Sequence, residues 1–173
     1  MDALPRNPPG VNDVREFRVT GPWPSKSGGL LSVPIALPHL EAMKFLDYDA
    51  AELGRLAVDI RGLRLSVVSD IPAGGIGGRQ FHRLRTEISF AVMGKVSWKF
   101  EDLYGATRTI AWSPHHALLK PPFVMHTFTA EEAGSTIATL ANTLYVPDDP
   151  RTHDTYAADL FYAMRDRFRG ERG

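Results

Sequence analysis

Four residues have the types and the spacing to do chemistry: Gln80, His82, Glu87 and His126. Gln80 and His82 lie two apart, which on a strand would put both on one face. Glu87 follows on the next predicted strand, and His126 ends the run Pro121-Pro122-Phe123-Val124-Met125-His126. An imidazole that titrates near neutrality can take up a proton and return it, as general base and then general acid. Gln80 can donate a hydrogen bond to an oxygen on which negative charge develops, but it cannot act as acid or base. Two imidazoles and a carboxylate also form a ligand set for a divalent transition metal (Fe, Mn, Ni or Zn), with Gln80 as a weak fourth ligand. Each residue has a plain structural reading as well. His82 can be a satisfied interior polar group, Glu87 one half of a buried ion pair with Arg79 or Arg85, and His126 a strand cap after a proline turn.

The elements that must position these groups are short strands. Residues 63–69 are apolar and end at Asp70 and Pro72. In 87–93, Ile88, Phe90 and Val92 alternate with Glu87, Ser89 and Ala91, and after a turn at Gly94 and Lys95 the residues Val96, Trp98 and Phe100 alternate again, which predicts a hairpin. Segments 107–112, 117–120, 126–129 and 136–146 complete a series that predicts an all-β antiparallel barrel or jelly roll. Before it, residues 1–29 are rich in Pro and Gly and predict an arm, and 30–36 a first strand. Asp49 is placed to cap a short helix. At the end, Ala157, Leu160, Phe161, Met164 and Phe168 share one helical face, with Asp154 as the candidate cap, so that residues 147–173 predict a helical segment packed on a barrel of residues 30–146.

Composition excludes several classes. Twenty Lys and Arg balance 20 Asp and Glu in 173 residues, which argues against a nucleic-acid binder or a polybasic membrane binder. There is no cysteine, so disulfides, thiolate zinc sites and cysteine nucleophiles are out. The start lacks the apolar core of a signal peptide, and no apolar run is long enough to span a bilayer, so the expected location is cytoplasmic. Gly74, Gly75, Gly77 and Gly78 precede a strand rather than a helix, which favours a tight barrel-mouth turn over a dinucleotide loop. Strand alternation puts Arg79, Arg83 and Arg85 opposite His82, on a solvated or interface face, although at the barrel mouth they can also bind a nucleotide diphosphate. Trp98, Phe100, Trp112 and Phe128 read as core, and His39, His115, His116 and His153 as surface or loop residues.

The spacing from Gly74 through Gln80, His82 and Glu87 to Gly94, followed by the proline turn and His126, resembles the two cupin motifs. It departs from them at Gln80, which replaces the first histidine of a His-x-His pair, and at Phe123, which replaces a glycine. Within cupins the chain resembles the sugar 3,4-ketoisomerases of dTDP-4-oxo-6-deoxyhexoses. The similarity lies in residues 117–126, in Ser27-Gly28-Gly29-Leu30-Leu31 and in the stretch from Asp148-Asp149-Pro150 to Phe161. That family's Arg-Gly-x-His-x-His-Lys stretch is matched only in part: His82 takes the second histidine position, Arg83 the lysine, Gly77 the arginine, and Glu87 stands where the family has Gln. The resemblance implies a cupin jelly roll and a homodimer. It also implies an isomerase acting on a nucleotide-linked oxo-deoxysugar, with His82 and Gln80 catalytic, His126, Arg79 and Glu87 binding the substrate, and no metal. A metal-dependent cupin built on His82, Glu87, His126 and Gln80, and a non-catalytic small-molecule-binding cupin, stay open beside it.

Overall fold

The structure, a computed structural model, describes residues 4–112 and 114–171. Residues 1–3 of the expected arm and 172–173 of the expected C-terminal segment lie outside the described residues. Two five-stranded antiparallel sheets face each other as a jelly roll. One contains β1 (Arg15–Arg18), β4 (Arg61–Ile71), β6 (Glu87–Met93), β9 (His116–Lys120) and β11 (Ser135–Thr143), in the order β1-β9-β6-β11-β4. The other contains β5 (Ile76–Phe81), β7 (Val96–Glu101), β8 (Thr107–Trp112), β10 (Met125–Ala130) and β12 (Tyr156–Ala157), in the order β12-β5-β10-β7-β8. A separate ribbon pairs β2 (Thr20–Pro24) with β3 (Leu30–Val33), and two short helices follow, α1 (Leu37–Ala42) and α2 (Ala50–Leu53). The helix α3 (Ala158–Gly170) closes the chain. Among the described residues no helix is long and apolar enough to cross a membrane.

Strand alternation separates the two sides of β6. Ala91 joins the interior cluster with Val96, Trp98, Ile110, Leu118 and Ile137, and Glu87 and Ser89 share its face. Ile88 points the other way and packs with Leu40, Phe45, Ala117 and Leu119 beneath the α1 segment. The hairpin turns at Gly94, whose φ of +78° and close approach to Ser135 leave no room for a side chain. Phe161, Met164 and Phe168 of α3 pack on Phe81, Leu103, Phe123 and Met125, as the periodicity predicts, whereas Leu160 is exposed.

Three features of the ends differ from the sequence reading. The expected arm is part of the barrel: β1 pairs with β9, and Val11 and Val14 are buried in the interior cluster, where the Val11 N–H donates to the Asp102 carboxylate at 2.8 Å. The Pro and Gly of residues 5–10 and 21–29 hid a four-residue strand in the stretch 11–20, which contains neither. Leu30–Val33 is a strand of the outlying ribbon rather than of either five-stranded sheet. Asp154 does not cap α3, whose N-cap is Ala157, because its carboxylate is engaged elsewhere.

Candidate functional site

Antiparallel register makes the site. Glu87 at the start of β6 stands opposite Lys120 at the end of β9, and both face inward. His126, on β10, stands opposite Gln80 on β5 and Phe100 on β7. Between Gln80 and Gly78 the β5–β10 register slips, and Arg79 is the extra residue, with φ +55°. This bulge sends Arg79 to the surface and leaves Gln80 on the cavity wall. Of the two partners expected for Glu87, Arg85 is the one found and Arg79 is not: the Arg79 side chain, expected on the substrate, is exposed and is not part of the cavity lining.

His82 follows β5 rather than lying on it, so the alternation argument stops at Phe81. The segment from His82 to Thr86 is held instead by the chain's tail. The Asp154 carboxylate accepts the N–H groups of Arg83, Leu84 and Arg85 at 3.1, 2.9 and 2.7 Å. The Asp154 carbonyl accepts from His82 Nδ1–H at 2.5 Å, and the His82 carbonyl accepts from the Phe123 N–H at 2.7 Å. Phe123 takes a left-handed φ of +61°, the backbone shape that explains why a glycine suits this turn elsewhere.

These elements gather His82, Glu87 and His126, with one candidate ligand atom of each within 4.8 Å of the others. Glu87 is the hub. Its Oε2 lies 2.7 Å from Lys120 Nζ and 3.7 Å from His126 Nε2, while its Oε1 lies 3.3 Å from His82 Nε2 and 3.7 Å from Arg85 Nη1. Burial alone would raise the Glu87 carboxyl, but Lys120, His82 and His126 outweigh it and hold the group well below the ordinary carboxylate range. Burial, helped by the Lys120 charge, pushes His126 well below the ordinary imidazole range, so this ring is neutral. Its Nδ1–H donates to the Val124 carbonyl at 3.3 Å, which leaves the lone pair on Nε2. Burial also lowers Lys120, only partly offset by Glu87.

A cavity of about 530 Å³ opens onto this cluster. Gln80, Arg85, Glu87, Lys120 and His126 line it, and Arg64, Tyr145 and His153 line its more exposed part. His82 is not in the lining; it sits behind Glu87. Trp98 and Phe128 serve both as core and as wall, and Lys120 Nζ lies 4.3 Å from the centre of the Trp98 ring. Arg64 Nε and Arg85 Nη2 are buried without a hydrogen-bond partner among the described residues.

Several residues behave otherwise than the sequence reading expects. Arg83 and Arg85 are buried, not solvated, because the loop carrying them is not a strand. Arg83 makes a bidentate pair with Glu52, whereas Arg85 reaches the cavity and bonds Thr143. His153, read as a surface or loop residue, is a loop residue that also stacks on Tyr145 at 4.5 Å in the cavity wall. Lys120 escapes the sequence reading altogether. Its only signal there is a charged residue ending an apolar strand just before the two prolines.

The three potential metal ligands are close enough to meet one ion, but the donor set fits poorly. The Lys120 ammonium already occupies the same Glu87 oxygen that faces His126, and a divalent cation there would have to displace it or tolerate it as a neighbour.

No family model and no curated protein sequence matches the chain. Solved structures do. The sugar 3,4-ketoisomerase QdtA of Thermoanaerobacterium thermosaccharolyticum, in complex with TDP, superposes with a TM-score of 0.62 at 14% identity, over 91% of this chain and 97% of that one. The TDP-fucose-3,4-ketoisomerase WlaRA of Campylobacter jejuni gives 0.60 at 13% identity, over 89% and 96%. The rmlC epimerase of Mycobacterium tuberculosis gives 0.58 at 17% identity, over 93% and 96%. The chain therefore has the cupin jelly-roll fold found in these sugar isomerases and epimerases.

Proposed function

We propose that this protein is a metal-independent isomerase of a nucleotide-linked oxo-deoxysugar, moving a ketone between adjacent carbons by proton transfer. The observation that carries the reading is one cavity with two kinds of unmet demand. His126 presents a neutral imidazole with its Nε2 lone pair free to accept a proton, and Arg64 and Arg85 each leave a buried N–H without an acceptor. The first suits abstraction of a proton beside a carbonyl, and the second suits the oxygens of a diphosphate. Relatives in fold support it, since the ketoisomerase QdtA was solved with TDP and a point mutant of it with TDP-4-keto-6-deoxyglucose.

In this reading His126, on the cavity wall, is the proton shuttle, and Gln80 donates its amide N–H to a substrate oxygen. His82 keeps a supporting role behind Glu87 in place of the shuttle role that the motif suggests. Arg64 and Arg85 bind the phosphates in place of Arg79. The protein is a homodimer, for the outer strand β4 exposes Leu63, Leu65, Val67 and Val68, and such an edge invites a second copy. Light scattering should give twice the 19.2 kDa chain mass, and Val67→Lys should halve it.

The direct experiment incubates the protein with TDP-4-keto-6-deoxyglucose in deuterated water and follows the products by NMR. A 3-keto product carrying deuterium, lost in His126→Gln, is expected. Saturable TDP binding with no exchange and no product would reduce the protein to a non-catalytic binder. The clustering of His82, Glu87 and His126 keeps one rival in play, a two-His, one-carboxylate metal enzyme. Elemental analysis of untagged protein should find Fe, Mn, Ni and Zn well below one per chain; a stoichiometric metal lost in Glu87→Ala would establish the rival instead.

A further inference from the structure

We propose that Lys120 is a catalytic residue of this site, the acid that protonates the substrate's carbonyl oxygen while His126 takes the proton from the adjacent carbon. The assignment rests on the isomerase reading and deepens it. Loss of a ketone from one carbon and its appearance on the next requires a base on carbon and an acid on oxygen, and Gln80 can supply neither. Lys120 is the one lysine among the described residues that line the cavity, and it is 3% exposed. Its Nζ and the His126 Nε2 are neighbours of the same carboxylate oxygen, at 2.7 and 3.7 Å, so a donor and an acceptor flank one point on the cavity wall.

The proton count closes without a co-reactant. His126 Nε2 takes the proton of the carbon beside the ketone; the C–H electron pair becomes the new C=C bond. The carbonyl π electrons move to oxygen, which takes a proton from the Lys120 ammonium and leaves a neutral enediol and a neutral amine. In the second half the imidazolium returns its proton to the former carbonyl carbon. The hydroxyl on the neighbouring carbon gives its proton to the Lys120 amine as it becomes the new carbonyl. Both residues end in their starting states. Glu87 holds the ammonium in place at 2.7 Å.

A purely structural role, neutralising Glu87, predicts something different. A buried pair of this kind adds little stability compared with apolar residues of similar volume, and any permanent cation at Lys120 would serve. Lys120→Arg separates the two, because a guanidinium keeps the charge but does not give up its proton. Wild type, Lys120→Met and Lys120→Arg are compared for kcat and KM with TDP-4-keto-6-deoxyglucose, for TDP affinity by calorimetry, and for thermal melting. Both variants are expected to hold TDP affinity within about threefold and to lose kcat by on the order of 100-fold or more. Arginine at the wild-type rate, or methionine at the wild-type rate, would overturn the assignment. Should Lys120→Met fail to fold, the Lys120→Arg value decides alone. An inert wild type would bring down the isomerase reading and this assignment with it, an outcome distinct from an active wild type with active variants.

Discussion

Two buried ion pairs sit within one loop's reach of each other, and they are built for different ends. Arg83 grips Glu52 with two parallel bonds of 2.9 Å, its guanidinium lies over the Phe123 ring at 5.5 Å, and neither partner lines the main cavity. Lys120 meets Glu87 through one short contact, and the carboxylate is shared with His82, His126 and Arg85 beside open space. The first pair has matched donors to acceptors and ties α2 to the loop after β5. The second concentrates an imidazole, a carboxylate and two further cations at a wall that a ligand can reach, with the second imidazole behind the carboxylate. An ion pair is costly to bury, so a pair that fastens distant segments and a pair that keeps reactive groups charged are distinguished by satisfaction and access, not by distance.

Removing Glu87 tests the reactive pair most severely. Glu87→Ala leaves the Lys120 ammonium and Arg85 buried with no counter-charge, and about 3–5 kcal/mol of stability is expected to go with it. Isomerisation should be lost as well, since the acid and base lose the group that places them. Chemical denaturation and the NMR assay together check this; full activity in a folded Glu87→Ala would dissolve the distinction between the pairs.

Asp154 joins the two regions and comes next. Its carboxylate serves the backbone of the loop that holds both Arg83 and Arg85, and its carbonyl fixes His82 Nδ1. Asp154→Ala orphans three buried N–H groups and should cost about 3 kcal/mol. Because the loop also aims Arg85, TDP affinity should fall with stability. A variant that is destabilised yet binds TDP as well as wild type would confine Asp154 to the frame.

Arg83→Met probes the fastening pair. Glu52 keeps Arg55 at 3.4 Å, so the loss should be smaller, about 2 kcal/mol, with kcat within about threefold of wild type. A large loss of kcat with unchanged melting would mean that the pair belongs to the chemistry after all.

The same contrast explains what the sequence could and could not reveal. Local patterns were legible: the alternation of Val96, Trp98 and Phe100, the Gly94 turn, the apolar face of Phe161, Met164 and Phe168, and the meeting of His82, Glu87 and His126 suggested by motif spacing. Lys120 was not, because its meaning arises from a register that brings residues 87 and 120 opposite each other across two strands. Arg79 and Arg85, which alternation puts on one face, part ways for a backbone reason. A bulge turned the first outward, and the end of β5 at Phe81 cancelled the two-residue period before the second. Asp154 looked like a helix cap because capping residues and loop anchors use the same carboxylate chemistry, and only the fold decides which N–H groups are within reach.

The smallest expected effect concerns pH and isolates His126. Its folded-state pKa lies well below the ordinary imidazole value, first because it is buried and then because Lys120 is near. An unfolded chain takes up this proton near about pH 6.5, whereas the folded chain does not until the pH is well below that. The unfolded state therefore binds more protons in the window beneath 6.5, and stability falls as pH drops through it, with a limiting slope of about 1.4 kcal/mol per pH unit for this one group. Glu87 adds nothing in that window. Its folded pKa is depressed, so its contribution is present above about pH 4.3 and is lost only at more acid pH. His126→Gln should remove one proton's worth of slope between about pH 5 and 6.5 in urea denaturation. An unchanged slope would mean that the folded chain takes up the His126 proton as readily as the unfolded one, so that burial does not hold this ring neutral through the window.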